Sequence, residues 1–99
     1  MALRIAAERT FNTTATFVDG QTAAVTFRVL PDDELTSLPE DGGRSALRAT
    51  LVRVEVEDQD GNPAEFTPEI REQLLGSAPD VLALQRAYNQ AVITGKLGN

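Results

Sequence analysis

The sequence predicts an α+β domain in which a small antiparallel sheet of three to four strands carries carboxy-terminal helices. Three observations predict it: a β-rich first part, a change to helical hydrophobic periodicity after residue 66, and a length of 99 residues, typical of one domain. We therefore expect residues 1–99 to form a single domain. It should be mainly β over 1–66 with a short helical turn near 32–38, helical over 67–95 and flexible over 96–99.

An amino-terminal β-hairpin is expected to begin the sheet. Two runs rich in Thr, Val and Phe, residues 10–18 and 21–30, flank an Asp-Gly pair. A two-residue turn would leave apolar side chains on both faces of the hairpin. A three-residue loop with Gly20 in the left-handed conformation instead pairs Phe17 with Gln21 and gives one apolar face. The side chains collected on that face are Phe11, Ala15, Phe17, Ala23, Val25 and Phe27.

The middle of the chain predicts shorter elements. Acidic residues after a proline favour a helical turn near 32–38, and the glycine-containing segment 39–45 is expected to be a loop. Residues 48–58 are typical of a third strand whose apolar phase changes at residues 51–52. A bulge there, or a helical turn before the strand, would each explain the change. Residues 64–66 are expected to form a short returning strand.

Two helices are expected after the strands. Thr67 is a good N-cap with Pro68 in the first turn, and Gly76 is expected to end this helix. Ser77 is a capping residue for the last helix, which Gly95 is expected to end. The apolar stripe predicted to face the core on this helix consists of Val81, Leu84, Tyr88, Ala91 and Val92.

The composition argues against several classes of protein. Asp and Glu total 15 and Lys and Arg total 9, so the formal net charge is −6. Such a chain repels phosphate backbones and anionic lipid, and we expect no nucleic-acid or membrane partner. The sequence has no histidine and no cysteine. Histidine-activated nucleophiles, thiolate zinc sites and disulfides are therefore excluded.

The expected compartment is the cytoplasm. No stretch approaches the roughly 18 apolar residues that cross a bilayer. Residues 1–9 lack the apolar run, about 7–15 residues long, of a secretory signal peptide.

One acidic segment is partly similar to a calcium-binding loop. Asp58, Asp60, Asn62 and Glu69 match positions 1, 3, 5 and 12 of such a loop. Position 6 requires glycine, but Pro63 stands there with its φ fixed near about −65°. We therefore expect a solvated turn and no metal site.

Other carboxylates also lack the pattern of a catalytic pair. General acid–base chemistry needs one carboxyl group in an apolar pocket that raises its pKa. Glu55 and Glu57 alternate with valines on a predicted strand and should therefore face water. The sequence predicts neither an enzyme nor a bound cofactor.

The last helix offers a candidate partner-binding face. Leu82 and Ile93 lie three turns apart and outside the core stripe, with Arg86 and Asn89 between them. Either a wide apolar face packs on the sheet, or this second face binds a partner. Tyr88 has two interpretations, a core aromatic with its hydroxyl at the rim or an interface anchor. These five residues are the predicted partner-binding set.

Short runs in the carboxy-terminal half form a further pattern. They are residues 54–58 (VEVED), 60–63 (DGNP), 66–69 (FTPE), 74–75 (LL), 87–91 (AYNQA) and the closing 95–99 (GKLGN). This pattern resembles the tail assembly chaperones of long-tailed bacteriophages. The amino-terminal run 27–30 (FRVL) and the following Glu34-Leu35 fit the same pattern more loosely.

The resemblance implies a definite function. Such chaperones bind the long, aggregation-prone tape-measure protein, keep it soluble in the bacterial host cytoplasm and help to recruit tail-tube subunits. They are absent from the finished virion, and many have a longer form made by ribosomal frameshifting. Self-association is compatible with coating a long client. The alternative is a tail-completion or connector subunit that stays in the virion.

Overall fold

The computed structural model describes residues 9–97, with side chains described for 9–93. A three-stranded antiparallel sheet of order β1-β2-β3 and a separate two-stranded ribbon, β4-β5, are accompanied by four helices in this part of the chain. The elements are β1 Thr10–Thr16, β2 Thr22–Arg28, α1 Asp32–Thr36, α2 Arg44–Thr50, β3 Leu51–Val54, β4 Val56–Glu57, β5 Pro63–Ala64, α3 Pro68–Leu75 and α4 Ala78–Leu97. The predicted α+β class, with an amino-terminal hairpin and carboxy-terminal helices on the sheet, is confirmed.

The hairpin has the predicted register. Phe11 lies opposite Phe27, and the Phe17 amide donates to the Gln21 carbonyl at 2.8 Å, closing a three-residue loop. Gly20 takes φ 87°, the left-handed conformation that a side chain would disfavour. The hairpin therefore presents one apolar face, as the sequence predicts.

That face forms one wall of the core. Ala15, Val25 and Phe27 are buried, and the other predicted members are half-buried against them. The polar positions Asn12 and Thr14 on the opposite face are exposed.

Helix α2 corrects the prediction for the middle of the chain. A loop over 39–45 and a strand from residue 48 were expected, but the helix occupies Arg44–Thr50. Gly42 and Gly43 have φ of 77° and 88°, which turns the chain into the helix. The Asp41 carboxylate accepts from the Ser45 amide at 2.9 Å and from its hydroxyl at 2.6 Å. These two bonds hold the pKa of Asp41 below its ordinary value.

The apolar phase changes at residues 51–52 for both of the reasons that the sequence left open, a helix before the strand and a bulge within it. A helix, α2, ends directly before β3. Within the sheet, Phe27 pairs with Leu51 and Thr26 pairs with Arg53, so that Val52 is an extra residue. Val52 is exposed, as expected for the outward residue of a bulge.

The β4-β5 ribbon closes at a turn held by one carboxylate. Val56 pairs with Ala64, so the returning strand is Pro63–Ala64 and not residues 64–66. Asp58 accepts from the amides of Asp60 and Asn62 at 2.9 and 3.0 Å. Its Oδ1 accepts both bonds and so holds the turn, which fits the expected hairpin tip.

Helix α3 has the predicted ends. The Thr67 hydroxyl accepts from the Ile70 amide at 3.3 Å, and Pro68 occupies the first turn, where its missing N–H costs nothing. Gly76 follows the last helical residue, as predicted.

Helix α4 is longer than predicted. It begins at Ala78, directly after Ser77, but continues through Gly95 to Leu97. The expected helix end at Gly95 is therefore wrong, whereas the flexibility expected for residues 96–99 stays a prediction, and residues 98–99 lie outside the described part. A single glycine costs a helix about 1 kcal/mol, which is too little to stop one of this length.

The inward side of α4 completes the core. Val81 and Leu84 are buried as predicted, and Ala83 and Ala87, which the predicted stripe omits, are buried too. Val92, predicted to face the core, is 45% exposed, which corrects that assignment.

Two arginines of α2 fix α3 against it. The Arg44 guanidinium donates to the Leu75 carbonyl at 2.7 Å, at the carboxyl end of α3 where unpaired carbonyls carry negative charge. Arg48 makes a two-point contact with the Glu72 carboxylate at 3.0 and 2.8 Å. The hydrogen bond from Arg48 lowers the pKa of Glu72 below its ordinary value.

We predict that this ion pair contributes to the decrease in the free energy of unfolding at acid pH, the acid limb of the stability curve. The pKa of Glu72 is lower in the folded chain, so its contribution is present above the unfolded-state pKa and is lost as pH falls through the folded-state pKa. Glu72→Gln should therefore make the acid limb shallower in urea unfolding measured against pH. The change should be small and salt-sensitive, because both side chains are about half exposed. Glu65→Gln is the matched control, and parallel curves for Glu72→Gln and wild type would contradict the prediction.

Candidate functional site

A groove of about 900 Å³ lies between one side of α4 and the end of the hairpin. The hairpin contributes Thr14, Thr16, Phe17 and Val18. The main helix residues that line it are Leu82, Ala83, Arg86, Ala87, Asn89 and Ile93. The groove is thus built where the long helix crosses the first strand of the sheet.

Four of the five predicted partner-binding residues line this groove. Leu82 and Ile93 are each 52% exposed, although both are large apolar side chains. Arg86 and Asn89 are exposed between them on the same side of α4. Helical spacing brings these side chains together, as the sequence predicts.

Tyr88, the fifth predicted residue, does not line the groove. Its ring lies 5.5 Å from that of Phe11 and 5.2 Å from that of Phe27, the latter in an edge-to-face arrangement. Burial raises the pKa of its hydroxyl, and the negative charge of Asp32 adds to this effect. Of the two interpretations of Tyr88, the structure places it as a core aromatic.

Sequence reasoning missed the contribution of the hairpin. Phe17 is half-buried and Val18 is 81% exposed, the most exposed of the large apolar side chains in the described chain. The signal was an apolar Phe-Val pair at a strand end, immediately before a turn. Helical periodicity could not connect this pair to α4, because their proximity arises only from packing of the helix on the sheet.

The groove is almost free of charge. Arg86 is the one ionisable side chain among the described residues that line it. The lining of a neighbouring cavity of about 410 Å³ includes five carboxylates, namely Asp19, Glu55, Glu57, Asp58 and Asp80. Negative charge therefore lies beside the groove on this side without entering it.

The chemistry that the groove offers is contact with another molecule. Its side chains are aliphatic groups, one phenyl ring, hydroxyls, amides and a guanidinium, which pack or form hydrogen bonds. Glu55 and Glu57 are exposed, as predicted. Within residues 9–97, no group of three or more metal-binding side chains is placed to hold a metal ion.

No helix in the described residues has the length and apolar character needed to cross a membrane. In comparisons with known proteins, no family model, curated protein or solved structure matches the chain. The likeness to tail assembly chaperones therefore rests on its short sequence motifs alone.

Proposed function

We propose that the protein is a tail assembly chaperone of a long-tailed phage or prophage. It binds the tape-measure protein in the bacterial cytoplasm, keeps it soluble and helps to recruit tail-tube subunits. The observation that carries the proposal is the groove beside α4, where Leu82 and Ile93 are each 52% exposed. The resemblance of the short motifs described above favours this family, and the groove offers a surface that such a protein could use.

The groove suits an apolar helical segment of the client. Leu82 and Ile93 lie about three turns apart, so they can contact a helix at two separated points. Val18 adds an apolar contact from the hairpin side. Burial of these side chains supplies a non-directional attraction, which accommodates varied apolar segments of a long client.

The polar groups of the groove would orient the client. The Arg86 guanidinium can donate to a carboxylate or to carbonyl oxygens at a helix end, and Asn89 can donate and accept. Because the groove contains no carboxylate, an acidic group on the client meets Arg86 without a competing negative charge.

The acidic surface next to the groove would keep the complex in solution. The five carboxylates of the neighbouring cavity remain outside the proposed contact. A complex that carries this excess negative charge repels other copies of itself. The charge is thus suited to a protein that holds an aggregation-prone partner.

Co-expression tests the function. We expect the tape-measure protein encoded in the same genome to move from the insoluble to the soluble fraction when this chain is present. The two should co-purify through a tag on either partner. Unchanged solubility together with no recovered complex would contradict the proposal.

A second measurement distinguishes the alternative function. A tail-completion or connector subunit would instead use the groove for a permanent contact in the virion. Mass spectrometry of purified particles should find the tail proteins without this chain if it is a chaperone. Its presence at a stoichiometry comparable to structural subunits would instead identify a virion component.

A further inference from the structure

The outer edge of β1 has backbone groups that point away from the sheet. β1 is the first strand in the order β1-β2-β3. The Phe17 amide donates to Gln21, and the Val29 amide donates to Arg9, both at 2.8 Å, so the odd-numbered residues of this ladder face β2. The even-numbered residues, whose N–H and C=O groups therefore point outward, are Thr10, Asn12, Thr14 and Thr16.

Within residues 9–97, this edge lacks the charge, bulge and shortness that protect edge strands. β1 has seven residues, TFNTTAT, with no charge and no proline, and it pairs with β2 without a register shift. The opposite edge strand, β3, has four residues, carries Arg53 and is bulged at Val52. Charge, bulges and shortness are the usual means of blocking edge pairing, and β1 has none of them.

We propose that β1 pairs antiparallel with β1 of a second copy of this chain. A two-fold axis at Thr13 places Thr10 opposite Thr16 of the other copy and Asn12 opposite its Thr14. In this register the numbers of two paired residues sum to twice that of the central residue, so even-numbered residues lie opposite even-numbered residues. All four outward residues therefore occupy hydrogen-bonded positions. The edge is self-complementary in this register, as a two-fold interface requires.

The charge distribution favours a second copy at this edge. Two chains of net charge −6 repel each other overall. β1 carries no charge, and the adjoining groove carries only Arg86. Two copies can therefore approach here without setting carboxylates of the strand or groove against each other.

The pairing would complete the groove. The axis that relates antiparallel neighbours is perpendicular to the sheet, so both α4 helices lie on the same face of a sheet with three strands from each copy. Thr14 and Thr16 line the groove and also belong to the proposed interface. The two grooves would open towards each other as one trough, flanked by Leu82 and Ile93 of both copies. The inference that this trough binds the client rests on the proposed function, whereas the pairing of the two copies does not depend on it.

Analytical ultracentrifugation of the full chain tests the pairing. We expect wild type to sediment with twice the chain mass of 10.7 kDa and to dissociate on dilution. Thr14→Pro should be monomeric at every concentration. Its N–H points away from β2, so proline removes no hydrogen bond of the hairpin. Thr14→Val, which keeps the N–H, should remain dimeric. A monomeric wild type, or a dimeric Thr14→Pro, would overturn the proposal.

Amide hydrogen exchange of the wild type provides a test that does not depend on how the proline variant folds. The Asn12, Thr14 and Thr16 amides should exchange slowly at high concentration and faster on dilution, while the Phe17 amide, bonded within the hairpin, should not change. Fast exchange of the three edge amides at all concentrations would contradict the pairing. If wild type is dimeric and the monomeric Thr14→Pro variant still solubilises the tape-measure protein, the shared trough is not the client surface, but the proposed function stands.

Discussion

Phe27→Ala is expected to lower the free energy of unfolding by about 3–5 kcal/mol. The side chain is fully buried, and its ring lies 5.6 Å from that of Phe11 and 5.2 Å from that of Tyr88. Truncation removes the buried ring and leaves a cavity between the sheet and α4. Because a domain of this size has a total stability of about 5–15 kcal/mol, a large part of it would be lost.

Urea unfolding followed by circular dichroism measures this effect. Val18→Ala is the control, since Val18 is 81% exposed and its truncation should change stability by no more than about 0.5 kcal/mol. A loss below about 1 kcal/mol for Phe27→Ala would contradict the placement of this ring at the centre of the core.

Leu82→Asp and Ile93→Asp are each expected to weaken client binding by at least about tenfold, with little change in stability. Both side chains are 52% exposed, so a carboxylate at either position remains solvated in the free protein. In the complex it would replace an apolar contact with a charged group and compete with the client for Arg86, which weakens binding.

The matched control for both variants is Val92→Asp. Val92 lies on the same helix and is 45% exposed, but it does not line the groove. We expect its binding to equal that of wild type in titration calorimetry with a soluble tape-measure fragment. Unfolding of both groove variants would instead mark their side chains as core. Equal loss of binding in all three variants would show that the groove has no special role.

The register of the hairpin was predictable because its two strands must share one apolar face. A two-residue turn would divide the apolar side chains between two faces, whereas the three-residue loop collects them on one face and places Gly20 where φ is positive. The N-cap at Thr67 and Pro68 was readable for a similar reason, because each of these residues has a local role that does not depend on the rest of the fold.

Helix α2 was not predictable in the same way. Leu47, Ala49 and Leu51 alternate along the chain as in a strand, although the first two belong to a short helix and only Leu51 belongs to β3. The helix is held from outside, by the Asp41 carboxylate before it and by Arg44 donating to Leu75 of α3. Packing thus overrides a local pattern here. The pair Asp41 and Ser45 was the available signal.

The site was predictable on the helix and not on the sheet. Spacing placed Leu82 and Ile93 on one side of α4 and away from the core stripe. It could not show that Val92 is exposed, because the width of the buried face depends on where the sheet ends. Nor could it show that Phe17 and Val18 lie beside the helix.

The most direct test of the groove as the client surface is a map of methyl resonances. On addition of the tape-measure fragment, we expect the methyl signals of Leu82, Ile93 and Val18 to shift or broaden. Those of Val29 and Val52, which are 41% and 38% exposed outside the groove, should stay unchanged. Perturbation of Val29 and Val52 with the groove methyls unaffected would contradict the account.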